Sequence, residues 1–242
     1  MLKPEAIEIP CTGYSVVADI YEGSSDGPVL LALMGRSMER RKDHHAALLS
    51  YIAQRLGVIA VTFDYTGHGD SPFDSKDLHA AQHLLESITV FDWVKSRYPE
   101  RKTIVDGFSY GGFLAAQMTQ YRPFDGLVLR APAIYKPADF YTRRENEDVE
   151  ATHLYRQDSE ALAEHPLLAN NSRFGGEVLI VAHGDDERIP APTTDAYSKA
   201  FQTNVITMEH FSHDLATADH HELELYHRYI GDWLKNNINS II

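Results

Sequence analysis

The serine in Gly107-Phe108-Ser109-Tyr110-Gly111-Gly112 stands between an apolar run, Thr103-Ile104-Val105, and a helix-like run over residues 113–120. A strand, a G-x-S-x-G pentapeptide and a helix in that order form a sharp turn that lifts a serine hydroxyl clear of the backbone. Glycines flank the serine because the turn brings backbone against backbone, where a Cβ would collide. The chemistry on offer is nucleophilic attack by Ser109. A hydroxyl is a poor nucleophile until a base takes its proton, and that base needs a third group to orient it. The pentapeptide is short enough to arise by chance, so the sequence must also supply an acid and a histidine.

Both follow. Glu177-Val178-Leu179-Ile180-Val181-Ala182 reads as a buried strand and empties into His183-Gly184-Asp185-Asp186-Glu187-Arg188-Ile189-Pro190. Val205-Ile206-Thr207-Met208 reads as the next strand and ends in His210-Phe211-Ser212-His213-Asp214. Serine, acid, histidine is the chain order of α/β-hydrolases, unlike that of chymotrypsin or subtilisin. Asp185 and Asp186 compete for the acid, and His210 and His213 for the base.

From residue 7 to residue 233 the chain resembles the α/β-hydrolase superfamily, and within it the small single-domain bacterial carboxylesterases of the cinnamoyl or feruloyl esterase type. Four blocks carry the resemblance: Leu31-Ala32-Leu33-Met34-Gly35-Arg36 as strand and oxyanion loop; Asp64-Tyr65-Thr66-Gly67-His68-Gly69-Asp70-Ser71 as a D-x-x-G-x-G-x-S loop; the Ser109 turn; and His183 to Pro190 as a shortened H-G-x-x-D-x-x-V-P acid loop. The resemblance implies a Ser109, Asp186, His213 triad. Asp186 lies three residues before the Ile189-Pro190 pair, and Asp185 is left to cap the following turn. It further implies oxyanion donors at the backbone N–H groups of Arg36 and Tyr110, and no cofactor. The family's His-Gly is Met34-Gly35 here, which leaves open how that loop is braced. The Arg36 side chain is expected to point to solvent, a substrate carboxylate being its alternative partner. Arg130 is expected to pair with a carboxylate of the cap or of a neighbouring loop, and His68 to brace loops.

The elements that must hold these residues read as alternating strands and helices. Strands are expected at 6–10, 14–21, 28–34, 58–63, 103–105, 127–129, 178–181 and 205–208, and helices at 42–56, 78–98, 113–121, 193–201 and 219–237. Together they make a mostly parallel eight-stranded sheet with helices on both faces. Ligands of such sheets bind at the carboxyl ends of the strands, where all three candidates fall. The chain reads as one α/β domain over residues 1–242. A segment of about 133–176, with a charged stretch at 142–150 and several tyrosines, is expected to form a small helical cap, an ordinary crossover helix being the alternative.

Composition fits. The 242 residues carry a formal net charge of −13, which disfavours nucleic acid and anionic membranes as partners. No apolar run approaches the length of a membrane span and no signal segment opens the chain, so a cytoplasmic protein is expected. Cys11 is the single cysteine and reads as structural. The pairs His44-His45 and His220-His221 lack metal-ligand spacing, so no metal is expected. The expected partner is a small-molecule ester; a homodimer is allowed by the sequence, not specified by it. An amidase, peptidase, thioesterase or C–C bond hydrolase of the same fold remains open, as does a non-catalytic binding protein.

Overall fold

Residue-by-residue alternation decides which side of the sheet each strand feeds. In β3 (Val29–Leu33), Val29, Leu31 and Leu33 enter one core while Leu30 and Ala32 enter the other. The same split separates Leu127 and Leu129 from Val128 in β6 (Gly126–Arg130), and Ile180 from Leu179 and Val181 in β7 (Glu177–His183). Strands buried on both faces read as continuous apolar runs, which is why these were visible in the sequence.

The structure, a computed structural model, describes residues 2–23, 27–36, 44–171, 173–215 and 218–239. The remaining strands are β1 (Glu5–Cys11), β2 (Tyr14–Tyr21), β4 (Ile59–Phe63), β5 (Thr103–Phe108) and β8 (Val205–Met208). The eight strands run in the order β1-β2-β4-β3-β5-β6-β7-β8. β1 pairs antiparallel with β2 and β2 with β4; from β4 through β8 every pairing is parallel. Helices α1 (His44–Leu56) and α8 (His220–Asn239) cover one face, whereas α2 (Ala80–Arg97), α3 (Tyr110–Met118) and α7 (Ala191–Phe201) cover the other. This is the expected architecture. Residues 42 and 43 of the expected first helix, and the side chains of His44 and His45, lie outside the described residues.

Two differences have physical causes. β5 runs to Phe108, beyond the apolar run 103–105, because the Asp106 carboxylate that interrupts the pattern is met by Arg130 of the neighbouring strand. The segment between β6 and β7 holds two 3₁₀ turns (Pro137–Tyr141 and Arg144–Asn146) and three short helices, α4 (Val149–Gln157), α5 (Ser159–Ala163) and α6 (Pro166–Asn171). Asp148 and Asp158 cap α4 and α5 by accepting from Ala151, and from Glu160 and Ala161. Leu162, Leu167 and Leu168 join the main core, so α5 and α6 belong to the body of the fold as crossover helices. Residues 131–148 instead lie near the Ser109 turn, with Tyr135 packed on Tyr110 and Phe113.

Candidate active site

Ser109 takes φ 52° and ψ −114°, a conformation L-residues rarely adopt. Strain of this kind costs about 1–3 kcal/mol and persists only where surroundings enforce it. Here they do. The Ser109 N–H donates to the Arg130 carbonyl at 2.9 Å, and its own carbonyl accepts from Phe113 at 3.2 Å and Ala133 at 2.9 Å. Close approach explains the glycines: a Cβ on Gly107 would lie 2.5 Å from the Gly111 carbonyl oxygen, and one on Gly111 would run into the carbonyl of Leu33.

The hydroxyl so presented meets His213. Its Oγ lies 2.8 Å from His213 Nε2, and His213 Nδ1 lies 2.7 Å from Asp186 Oδ2. A carboxylate accepts, so Nδ1 carries the proton and Nε2 is left as the acceptor for the serine hydroxyl. Asp186 is fixed in turn: its Oδ1 accepts from the backbone N–H groups of Arg188 (2.8 Å) and Ile189 (2.9 Å). Burial alone would raise the Asp186 carboxyl, but the His213 hydrogen bond and charge and the two backbone donors outweigh it and hold it below the ordinary value. The ring of Phe108 lies 5.3 Å from that of His213.

The competitors stand apart. His210 and Asp185 face each other at 3.9 Å with their side chains largely exposed. The turn-capping role expected of Asp185 is filled by Asp186 itself, whose one carboxylate orients the histidine and closes the turn.

The loop holding Met34, Gly35 and Arg36 runs beside the nucleophile, since a Cβ on Gly35 would lie 3.2 Å from Ser109 Cβ. Tyr110 opens α3, so its N–H is among those a helix leaves without an internal partner. The Arg36 side chain does not point to solvent. It is 15% exposed, lies 4.3 Å over the Tyr110 ring and 5.2 Å from that of Tyr135, and forks onto the Glu147 carboxylate, with Nη2 to Oε1 at 2.7 Å. A planar guanidinium can stack and fork at once, which makes burial tolerable. In place of the family's loop histidine, the Tyr65 hydroxyl donates to the Met34 carbonyl at 3.3 Å.

Behind Tyr110 lies a polar cluster that sequence reading missed. The Tyr110 hydroxyl is 2.8 Å from His83 Nδ1, and His83 Nε2 is 3.2 Å from the Thr66 carbonyl. That carbonyl can only accept, so Nε2 is protonated and Tyr110 donates to Nδ1. Burial, then the nearby His68 and the Arg36 charge, keep His83 neutral, far below its ordinary pKa. Glu86 accepts from the Thr66 N–H (3.0 Å) and hydroxyl (2.6 Å), and His68 Nδ1 lies 3.0 Å from the Thr66 carbonyl. The available signal was a polar strip, His83, Glu86 and Ser87, on the buried face of α2.

Arg130 also departs from expectation. Its carboxylate partner is Asp106 on the adjacent strand, not on the cap or a loop, with Nε and Nη2 each 2.7 Å from one oxygen and both side chains buried. Among the described residues, no group of three or more His, Cys, Asp or Glu side chains is arranged to hold a metal, and no helix is long and apolar enough to cross a membrane.

Residues 41–155 match the family model for serine aminopeptidase S33. The lysophosphatidylserine lipases ABHD12 of Rattus norvegicus and Bos taurus are 32% identical over 114 residues and 33% over 114 residues, 45% of this chain in each case. The chain spans 28% of the length of these relatives. Among solved structures, Est1E from Butyrivibrio proteoclasticus with ferulic acid bound superposes with a TM-score of 0.73 at 18% identity, covering 97% of this chain and all (100%) of that one. The Pyrococcus furiosus esterase Pf2001 gives 0.73 at 17% identity, covering 98% and 93%. A putative α/β hydrolase from Agrobacterium tumefaciens gives 0.74 at 15%, covering 98% and 97%. The sheet order and these superpositions show the α/β-hydrolase fold, and the strained serine at the end of β5, with sequence matches over just under half of the chain, makes it similar to serine hydrolases of the esterase and lipase class.

Proposed function

We propose that this protein is a serine carboxylester hydrolase for small to medium acyl groups, aromatic ones included, working through a Ser109, His213, Asp186 triad and an acyl-enzyme. The observation that carries the reading is the continuous line of hydrogen bonds from Asp186 through His213 to Ser109, at 2.7 and 2.8 Å. In this mechanism His213 Nε2 takes the Ser109 proton as Oγ attacks the ester carbonyl. Asp186 holds the tautomer and offsets the charge that develops on the imidazole. The oxyanion is held by the N–H groups of Arg36 and Tyr110. His213 then protonates the leaving alcohol, and water, activated by the same nitrogen, releases the acid. General-base assistance and an oxyanion donor each contribute roughly 10²–10⁴ in rate. No step calls for a cofactor.

The substrate range is inferred by likeness to the esterases named above. The unit is taken as one hydrolase domain with residues 131–148 over the site, acting on a small molecule rather than on nucleic acid or a membrane. A lone cysteine suits a reducing compartment, and we place the protein in the cytoplasm.

The test is hydrolysis of p-nitrophenyl esters from acetyl to long acyl, with one aromatic acyl, by wild type and Ser109→Ala. An aminoacyl amide and a lysophospholipid belong in the same panel, because the family match and the curated relatives carry those names. Ser109-dependent ester turnover supports the reading. Turnover confined to the amide or the lysophospholipid replaces it with that activity.

A further inference from the structure

The two residues assigned as backbone oxyanion donors are also stacked on each other through their side chains, Arg36 over Tyr110 at 4.3 Å. Tyr110 is held from behind by His83 at 2.8 Å. Arg36 is held from the front by Glu147, which engages both terminal nitrogens of the guanidinium. We propose that Glu147 is a positioning residue for the oxyanion loop: by clamping the Arg36 side chain against Tyr110 and Tyr135, it fixes the direction of the Arg36 N–H beside Ser109. The inference rests on the ester-hydrolysis reading above.

The burial of this ion pair sets it apart from an ordinary surface one. The Arg36 and Glu147 side chains are 15% and 13% exposed. Exposed pairs contribute little, but breaking a buried, two-pronged pair leaves a charge without compensation. Arg36 Nε is already buried without a hydrogen-bond partner among the described residues, so Glu147 carries most of the compensation. Without it the guanidinium has reason to swing out to water and draw the loop with it. The loop's other side-chain brace, Tyr65 on the Met34 carbonyl, is long at 3.3 Å. Glu147 itself is delivered from a fixed support: it follows the 3₁₀ turn Arg144–Asn146, whose first N–H donates to the Leu78 carbonyl at 3.0 Å, and it precedes the cap of α4. A substrate carboxylate would have to displace Glu147 to reach the Arg36 fork, so the geometry favours positioning over recognition of an anionic substrate.

The experiment compares wild type, Glu147→Gln, Glu147→Ala, Arg36→Ala and the Arg36→Ala/Glu147→Ala double variant. Each is checked for folding by circular dichroism and assayed on p-nitrophenyl butyrate and on a matched ester with a carboxylate at the acyl terminus. Labelling by a fluorophosphonate is measured in parallel. We expect Glu147→Ala to lower kcat about 10- to 100-fold on both esters with KM changed less than about threefold, the signature of an interaction realised in the transition state. Glu147→Gln, which keeps the shape, should fall in between. The double variant should be no slower than the slower single one, because both act through one contact. Glu147 variants with kcat within about twofold of wild type, additive losses, or a loss confined to KM for the acidic ester would overturn the proposal. If wild type shows neither turnover nor Ser109-dependent labelling, the nucleophile reading itself falls. An active, labelled wild type with indifferent Glu147 variants overturns only this inference.

Discussion

His183 Nδ1 lies 3.0 Å from the carbonyl oxygen of Ser212, the residue immediately before His213. The carbonyl accepts, so Nδ1 carries the proton and Nε2 is the acceptor for the Tyr226 hydroxyl at 3.1 Å. The loop that presents His213 is thereby tied to β7 and, through Tyr226, to α8.

Tyr226→Phe removes the donor and leaves the His183 Nε2 lone pair buried. An unsatisfied buried acceptor costs about 1–3 kcal/mol. For a domain of this length that lowers Tm by roughly 2–12 °C. Because the change also loosens the His213 loop, kcat should fall several-fold. A thermal melt and initial rates on one ester check both parts; an unchanged Tm would mean that the hydroxyl does not bear on the loop.

Four histidines are held with pKa values below the ordinary one, each first by burial: His83, His165, His183 at about 4 and His227 at about 4. Well above about pH 6.5 neither the folded nor the unfolded chain protonates them, and their titration does not affect stability. As pH falls from there toward 4, the unfolded chain takes up protons that the folded chain refuses, so stability drops. For His183 alone the difference reaches about 3 kcal/mol at the low end. Asp186 has the same sense in a lower window: its folded pKa is also depressed, so its contribution is present above the ordinary carboxylate range and is lost only as pH falls through that lower value. Tm should be flat between about pH 8 and 7 and fall steeply below about 6. His183→Gln should make that fall shallower. Scanning fluorimetry across the range decides it, and a Tm constant down to about pH 4.5 would contradict neutral burial.

Asp106 and Arg130 are 1% and 0% exposed and bound to each other at 2.7 Å. Removing one partner leaves a buried charge alone, which costs about 3–5 kcal/mol. Asp106→Asn and Arg130→Met should therefore each express poorly or melt far lower. Asp106→Leu combined with Arg130→Met should recover much of the loss. Chemical denaturation of the three proteins tests this, and a double variant weaker than both singles would show a role beyond mutual neutralisation, such as the Arg130 contacts to Tyr226 and Phe108.

What could be read before folding and what could not follow from where the information lies. The Ser109 turn, the acid loop and the His213 loop are each local: glycine spacing and a strand-end position specify the backbone, and three local turns at the carboxyl ends of parallel strands then converge. The burial of Arg36, the source of the carboxylate expected for Arg130 and the end of β5 were not legible for one shared reason. The partner of a charged residue decides whether it can be buried, and these partners come from other elements: Glu147 lies 111 residues from Arg36, and Asp106 24 residues from Arg130. Tyr110, His83 and Thr66 likewise meet only after α2 packs on the turn.

The two acids and two histidines give the sharpest test of the site. Asp186 accepts from His213, while Asp185 and His210 make a wet, 3.9 Å approach to each other. Asp186→Asn keeps the volume but cannot enforce the Nδ1–H tautomer, so kcat should fall by about 10³–10⁴. His213→Gln removes the base and should fall at least as far. Asp185→Asn and His210→Gln touch neither Ser109 nor Asp186 and should stay within about threefold of wild type, since exposed polar changes rarely matter beyond their own surface. Steady-state kinetics on one ester for the four variants checks all of this. A large loss in Asp185→Asn with Asp186→Asn intact would transfer the acid to its neighbour and require the loop to adopt a different turn from the one Asp186 closes on Arg188 and Ile189.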